Sequence, residues 1–258
     1  MLQQTPVVRV LPAWERWMRR WPTPAHLAAE APGEAIRMWE RLGYPRRALR
    51  LHAAATAIVE RHGGEVPDDH AALLALPGVG GYTAAAVASF AFGRRHAVVD
   101  TNVRRVLARV VTGTRHPAPA LTRAETALAE RLVPADAATA ARWGVAVMEL
   151  GALVCTARTP RCGDCPVAGL CRWRLSGSPE HEGPPRRGQA YEGTDRYVRG
   201  LLLAALRTAD GPLPQAALTA AAPDTVLRDP LQRDRALGGL VADGLVEPLP
   251  DEHFRLPA

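Results

Sequence analysis

Along residues 1 to about 175, the apolar and polar positions read as a series of helices joined by short turns, punctuated by Pro12, Pro22, Pro67 and Pro77. Thr23-Pro24 and Ala31-Pro32-Gly33-Glu34 carry the proline near the first turn that marks a helix start. Residues 70–76, 82–92 and 102–111 read as helices, whereas Gly78 to Gly81 is too glycine-rich to continue one. Ala, Leu, Arg and Glu dominate and β-branched runs are short, so the expected fold class is mainly α. Residues 176–195, SGSPEHEGPPRRGQAYEGTD, are rich in proline, glycine and charge and read as a linker. Beyond it RYVRGLLLAALRTA reads as a helix and PLPQAALTAAA as a second. QRDRALGGLVADGLVEPLPDEHFRLP reads as a third helix followed by a short β-hairpin. The expected organisation is a helical domain over 1–175, a linker, and a small winged-helix-like module over 196–258.

The chain has 258 residues, 47% of them hydrophobic, which suffices for a sizeable core. Its formal net charge is +6 and its pI about 9.7. All 32 basic residues are arginine, and there is no lysine. A basic surface points to a polyanionic partner, most simply nucleic acid, while the arginine-for-lysine bias itself is largely what a high-GC coding sequence produces. The absence of lysine still removes the amine as a chemical group. No signal peptide and no apolar run long enough to span a bilayer are read, so the expected location is cytoplasmic, on the nucleoid, with no membrane partner.

Four cysteines fall within CTARTPRCGDCPVAGLC: Cys155, Cys162, Cys165 and Cys171, spaced C-x6-C-x2-C-x5-C. Four thiolates in so short a segment can wrap one metal centre, zinc or iron–sulfur. Zinc fingers use two close pairs well separated in sequence; this uneven, compact spacing favours a [4Fe–4S] cluster. Arg158, Arg161, Arg172 and Arg174 surround it and can present charge to a phosphate backbone.

The stretch LPGVGGYTAAAV, from Leu76 to Val87, joins two of the expected helices. Its glycines permit positive φ and close approach of another backbone, and the N–H groups of Gly80 and Gly81 would then face outward at a helix start, an anion site suited to phosphate. An ordinary helix–helix turn would look the same. Twenty residues after Gly80, HAVVDTNVRRVLARV places Asp100 at a helix start, ahead of Arg104, Arg105 and Arg109. An aspartate there serves equally as a cap.

In their order and spacing, these three segments resemble the helix-hairpin-helix DNA glycosylases of the endonuclease III superfamily, over roughly residues 1 to 175. The resemblance implies that the Gly78–Gly80–Gly81 hairpin, with Arg104, grips the DNA backbone. It further implies that Asp100 is the catalytic aspartate, that the cysteines hold a [4Fe–4S] cluster, and that the target base is flipped into a pocket between two helical lobes. Endonuclease III-like enzymes place a Schiff-base lysine at the hairpin exit; Tyr82 stands there, which implies a monofunctional glycosylase that uses water and leaves an abasic site, without lyase activity.

The segments MLQQTPVVRVLPAWERWMRRWPT and RLGYPRRALRLH resemble the A/G-specific adenine glycosylases (MutY). There Gln3, Gln4 and Tyr44 match positions that probe the base pair. This implies release of adenine mispaired with guanine or 8-oxoguanine, from double-stranded DNA, by a monomer. Pro45 replaces a usual second tyrosine, and Thr101 stands where glycine is common. The family's general-acid glutamate lies three residues before the position matching Met1, whereas the first carboxylate here is Glu15. The corresponding expectation is that Met1 is an internal methionine of a longer reading frame, or that the chain is a truncated form without its first helix. The alternatives are a thymine or uracil mismatch glycosylase of the same fold, and a lesion-binding protein impaired in catalysis.

Overall fold

The structure is a computed structural model, described for residues 1–2, 5–180 and 191–258. Gln3 and Gln4 lie outside the described residues. The chain forms two compact units, Met1–Val66 with Arg187–Ala258, and Pro67–Arg186.

In the first unit, α1 (Val7–Arg20) buries Val10, Ala13 and Trp17, spaced three and four residues apart, and carries Arg19 and Arg20 in its last turn, where cations suit the helix dipole. Two short helices come next, α2 (Pro24–Ala28) and α3 (Pro32–Trp39), each with proline in the first turn as the sequence indicated. The long α4 (Arg46–His62) ends on Gly63 at φ 61°, a left-handed C-cap that glycine adopts without steric cost.

The unit's core gathers Trp17, Trp21, Ile36 and Trp39 with Leu202, Leu206, Leu240 and Leu245. The Trp17 and Trp39 rings meet edge-on at 5.7 Å, and their indole N–H groups donate to Met38 and Gly43 carbonyls at 2.9 Å each. The expected C-terminal module therefore shares one core with the N-terminal helices, and the compact unit does not follow the boundaries drawn from composition. The reason is that α1 to α4 leave an apolar face that the leucines of the last segment fill.

That segment contains α11 (Asp195–Thr208), α12 (Gln215–Ala221) and α13 (Gln232–Ala242), then a hairpin of β2 (Glu247–Leu249) and β3 (His253–Arg255). Three helices and a hairpin are what the sequence pattern indicated. It missed β1 (Leu213–Pro214), which pairs antiparallel with β3 to give the order β1-β3-β2. Two residues are too few to show an alternating pattern, and PLPQAALTAAA reads as one helix because α12 starts immediately after.

In the second unit lie α5 (His70–Leu74), α6 (Gly81–Phe90), α7 (Thr101–Leu107), α8 (Arg123–Leu132), α9 (Ala137–Glu149) and the short α10 (Arg172–Leu175). The helices read over 70–76, 82–92 and 102–111 are present with ends shifted by one or two residues, and the third runs on as a π-helical turn, Ala108–Thr112. A second π turn, Leu150–Val154, extends α9. Thr122 and Glu125 form a reciprocal capping box on α8, and Asp136 caps α9. The expectation of no membrane-length apolar run needs one correction. Ala137–Val154 is long and apolar enough to cross a bilayer by length and composition, at a mean hydropathy of 1.2. It carries Arg142 and Glu149 and packs on α6 and α7.

Gly33 shows how the first unit closes. Its N–H donates to the Pro257 carbonyl at 2.8 Å, and a Cβ there would stand 2.5 Å from that oxygen and 2.9 Å from the Leu256 Cβ. Alanine would gain up to about 1 kcal/mol of helix propensity, but the clash with backbone costs about 1–3 kcal/mol. Gly33→Ala is therefore expected to lower the thermal midpoint in a calorimetric scan; a midpoint raised above wild type would mean the C-terminal segment does not sit against α3.

Candidate active site

The hairpin turn lies directly after α5. Val79 N–H donates to the Leu76 carbonyl at 3.1 Å, and Gly78 takes φ 73°, a left-handed conformation that a bulkier residue would resist. Gly80 and Gly81 have no such internal need. Gly80 is extended, at φ −97°, and a Cβ on either would meet no atom within 4 Å. Gly80 also brings no side chain to cap α6. Glycine here clears space in front of a helix N-terminus, the arrangement that admits a phosphate.

Tyr82 lies in the first turn of α6, 40% exposed. Burial, and then the charge of Asp100, push its phenol above the ordinary value of 10, so the hydroxyl keeps its proton at neutral pH.

Asp100 is the N-cap of α7, and its Oδ1 accepts from Val103 N–H at 2.7 Å. The capping role is therefore real, and there is more. Oδ2 accepts from Asn102 Nδ2 at 2.8 Å. Asn102 Oδ1 in turn accepts from Arg105 Nη2 at 2.8 Å, and Arg105 Nε donates to the Cys155 carbonyl at 2.7 Å. Arg105 is buried, and its Nη2 also donates to Gly151. A continuous set of hydrogen bonds thus runs from the carboxylate to the first cysteine. From the sequence, Arg105 is named on this helix without a role, and Asn102 is not singled out. The signal that could have found them is their spacing of three, which puts them on one helix face.

The four cysteines carry free thiols and line one cavity together with Arg109 and Trp173. Cys155 ends the π turn after α9, Cys162 opens a 3₁₀ turn, and Cys171 caps α10. Among the described residues no three His, Cys, Asp or Glu side chains close on a single metal ion. Four thiols set around a cavity suit a cluster in which each iron takes one thiolate. Burial, and then the other three cysteines, push the Cys162 thiol up. Loading therefore releases protons, as thiolate ligation requires.

Arg109, 1% exposed, organises the loop. Nη1 donates to Cys155 Sγ at 3.3 Å and to the Thr156 carbonyl at 2.8 Å, Nη2 donates to Ala157 at 3.0 Å, and the guanidinium lies 5.0 Å from the Trp173 ring centroid. The loop arginines Arg158, Arg161, Arg172 and Arg174 are exposed.

Arg104 does not stand on the open surface expected of a phosphate contact. It is tied to both Glu125 oxygens at 2.9 Å and to the Ala118 and Ala120 carbonyls at 2.8 Å, with 13% of its side chain exposed. Its place on the helix beyond the hairpin suggested DNA; the helix phase turns the side chain inward toward α8. Tyr44 belongs to the other unit, 54% exposed, at φ 49° in the turn before α4.

Residues 1–131 match the family described as HhH-GPD superfamily base excision DNA repair protein, and residues 155–171 match the iron-sulfur binding domain of endonuclease III. An adenine DNA glycosylase of Mycobacterium tuberculosis (strain ATCC 25618 / H37Rv) is 54% identical over 258 residues, spanning 100% of this chain and 83% of that protein. That of Mycolicibacterium smegmatis is 52% identical over 257 residues, 99% of this chain and 84% of that one. Among solved structures, a thermostable thymine-DNA glycosylase aligns with a TM-score of 0.60 at 30% identity, over 68% of this chain and 80% of that chain. A non-covalent endonuclease III–DNA complex aligns with a TM-score of 0.59 at 27% identity, over 67% and 79%.

Two outcomes are expected. Asn102→Leu leaves Asp100 Oδ2 without its amide donor and Arg105 with one partner fewer. Stability should fall by about 1–3 kcal/mol, and base release measured in single turnover by about 10–100-fold, as for other supporting hydrogen bonds. Unchanged release would make Asn102 a bystander. For Glu125, burial raises the pKa, but hydrogen bonds from the Thr122 backbone and from Arg104 outweigh it, and the net value lies below the ordinary 4.5. The stability it contributes is therefore full above pH 4.5 and lost as pH falls through the lower folded value. Urea melts across that range should show wild type losing stability more steeply than Glu125→Gln.

Proposed function

The chain belongs to the HhH-GPD superfamily of base excision DNA repair proteins, and from that premise we propose that it is a monofunctional adenine DNA N-glycosylase. Its substrate is double-stranded DNA in which adenine is mispaired with 8-oxoguanine or guanine. The observation that carries this reading is a carboxylate fixed by two donors, with a protonated phenol rather than an amine beside it.

Adenine leaves when the C1′–N9 bond breaks. The bonding pair goes with the base, which takes up a proton from solvent, positive charge develops on the sugar, and the water that then adds to C1′ returns a proton to solvent. Asp100 supplies a held negative charge facing that sugar and orients the water that adds to C1′. Because Asn102 and Val103 fix the carboxylate before substrate arrives, little reorganisation is needed as charge develops. Tyr82 occupies the place from which an amine would attack the sugar, and a phenol forms no Schiff base. The product is an abasic site in an unbroken strand.

The target base leaves the stack to reach Asp100. The open glycines at Gly80 and Gly81 admit a phosphate to the start of α6, and the exposed arginines of the cysteine loop add sequence-independent attraction that weakens with salt. Cys155, Cys162, Cys165 and Cys171 would hold the [4Fe–4S] cluster, one thiolate to each iron, and so close residues 155–171 into one loop. Gln3, Gln4 and Tyr44 are proposed to probe the base pair.

Thymine opposite guanine is a second reading, favoured by the 30% identity to the thymine-DNA glycosylase structure. The 54% identity over the whole chain favours adenine.

The test is base release from a duplex with adenine opposite 8-oxoguanine, followed by alkali. Wild type should cut only after alkali. Asp100→Asn should lose at least about 10²–10³ in rate, the scale of one lost electrostatic group, while keeping its duplex affinity within a few-fold. Equal loss of rate and affinity would reduce Asp100 to a cap. Release of thymine but not adenine would assign the second reading.

A further inference from the structure

We propose that Arg47 is a positioning residue that aims the Tyr44 ring at the bases, a proposal that rests on the reading of Tyr44 as a base-pair probe. Gly43 at φ 78° and Tyr44 at φ 49° are consecutive left-handed residues in the turn before α4. Glycine adopts that conformation freely, but an aromatic residue resists it, and such strain persists only where the surroundings over-determine it. The result of the strain is an aromatic ring 54% exposed. No gain in burial explains why the turn holds tyrosine there rather than glycine or asparagine.

Arg47 is what over-determines the turn. Its Nη2 donates to the Gly43 carbonyl at 3.1 Å and the Leu42 carbonyl at 3.4 Å, and its backbone N–H donates to the Tyr44 carbonyl at 3.0 Å. The same guanidinium reaches the chain start, donating to Thr5 Oγ1 at 3.0 Å and the Met1 carbonyl at 3.2 Å. Its Cζ lies 5.2 Å from the Trp39 ring centroid and 5.5 Å from the Tyr44 centroid. Trp39 is anchored in the core at 1% exposure, and its indole N–H donates to the same Gly43 carbonyl at 2.9 Å. One planar cation thus ties a core tryptophan, the strained turn and the first residues together. A lysine ammonium, with three donors on one nitrogen, could not serve these four oxygens while keeping its charge between two rings. An exposed, rigidly held aromatic is a stacking platform for a nucleobase.

The experiment is a double-mutant cycle in the 258-residue chain, using Arg47→Met, Tyr44→Ala and the pair. It is read in single-turnover adenine release and in binding to a duplex with a tetrahydrofuran abasic analogue opposite 8-oxoguanine, against a fully matched duplex. Arg47→Met should slow release tenfold or more and cut the preference for the lesion duplex by a similar factor, with matched-duplex affinity within twofold. In the Tyr44→Ala background the same substitution should change both readouts less than twofold, because a positioning residue has nothing left to position. Equal losses in both backgrounds, or none in either, overturn the proposal. Should Arg47→Met fail to fold, Arg47→Lys runs the same cycle and should share the loss; full activity in Arg47→Lys would mean that charge alone suffices, and would also overturn it. Lesion preference without adenine release by wild type would sink the adenine reading while the binding cycle still decides Arg47.

Discussion

The second unit is organised around a buried cation. Arg105 is 7% exposed, and a guanidinium so placed must find dipoles for its N–H groups or destabilise the fold. It finds the Cys155 and Gly151 carbonyls and the Asn102 amide oxygen, and so ties α7 to the π turn that ends on Cys155. The arrangement requires α7 and the end of α9 to touch: a Cβ on Gly151 would stand 2.7 Å from the Asn102 Cβ and 2.8 Å from its carbonyl oxygen. Both helices widen into π turns just there, Ala108–Thr112 and Leu150–Val154. A π turn inserts a residue and re-aims the side chains beyond it. In one helix it carries Arg109 into the cysteine loop, and in the other it delivers Cys155 to the same cavity.

Arginine is used throughout as a staple for backbone carbonyls. Arg47, Arg104, Arg105 and Arg109 each donate to two or more, and the half-buried Arg207, whose pKa desolvation lowers to about 10, donates from α11 to the Ile36 carbonyl of α3. Five planar N–H groups reach carbonyls on different segments, which an ammonium on a flexible stem does less well. A coding bias can account for the missing lysine in the sequence. It cannot account for where these five guanidiniums went, since each reaches backbone carbonyls.

The elements legible in the sequence were those with local causes. Prolines in first turns, Asp100 as a cap, glycine at the hairpin and the cysteine spacing each act within a few residues, and the structure puts a helix start, a turn or a thiol cavity at each. The features that were not legible depend on partners far along the chain. The sharing of one core by α1 to α4 and the last segment rests on leucines whose periodicity fits any amphipathic helix. Arg104 and Arg105 are adjacent in sequence, yet a 100° step around the helix sends one to Glu125 and the other to Cys155. The strand β1 is two residues long and exists only because β3 lies beside it.

The two carboxylate oxygens of Asp100 are held by different donors. A cap needs one oxygen, and Oδ1 accepting from Val103 N–H meets that need. The second oxygen would ordinarily be left to water. Here Oδ2 is engaged by Asn102, whose amide is itself pinned by the buried Arg105. Helix stability gains little from fixing the second oxygen. A carboxylate that must meet a developing positive charge gains a great deal, because its orientation is set before the charge appears. The Asn102–Arg105 arrangement therefore exceeds what a cap demands, and that excess supports the proposed catalytic role of Asp100.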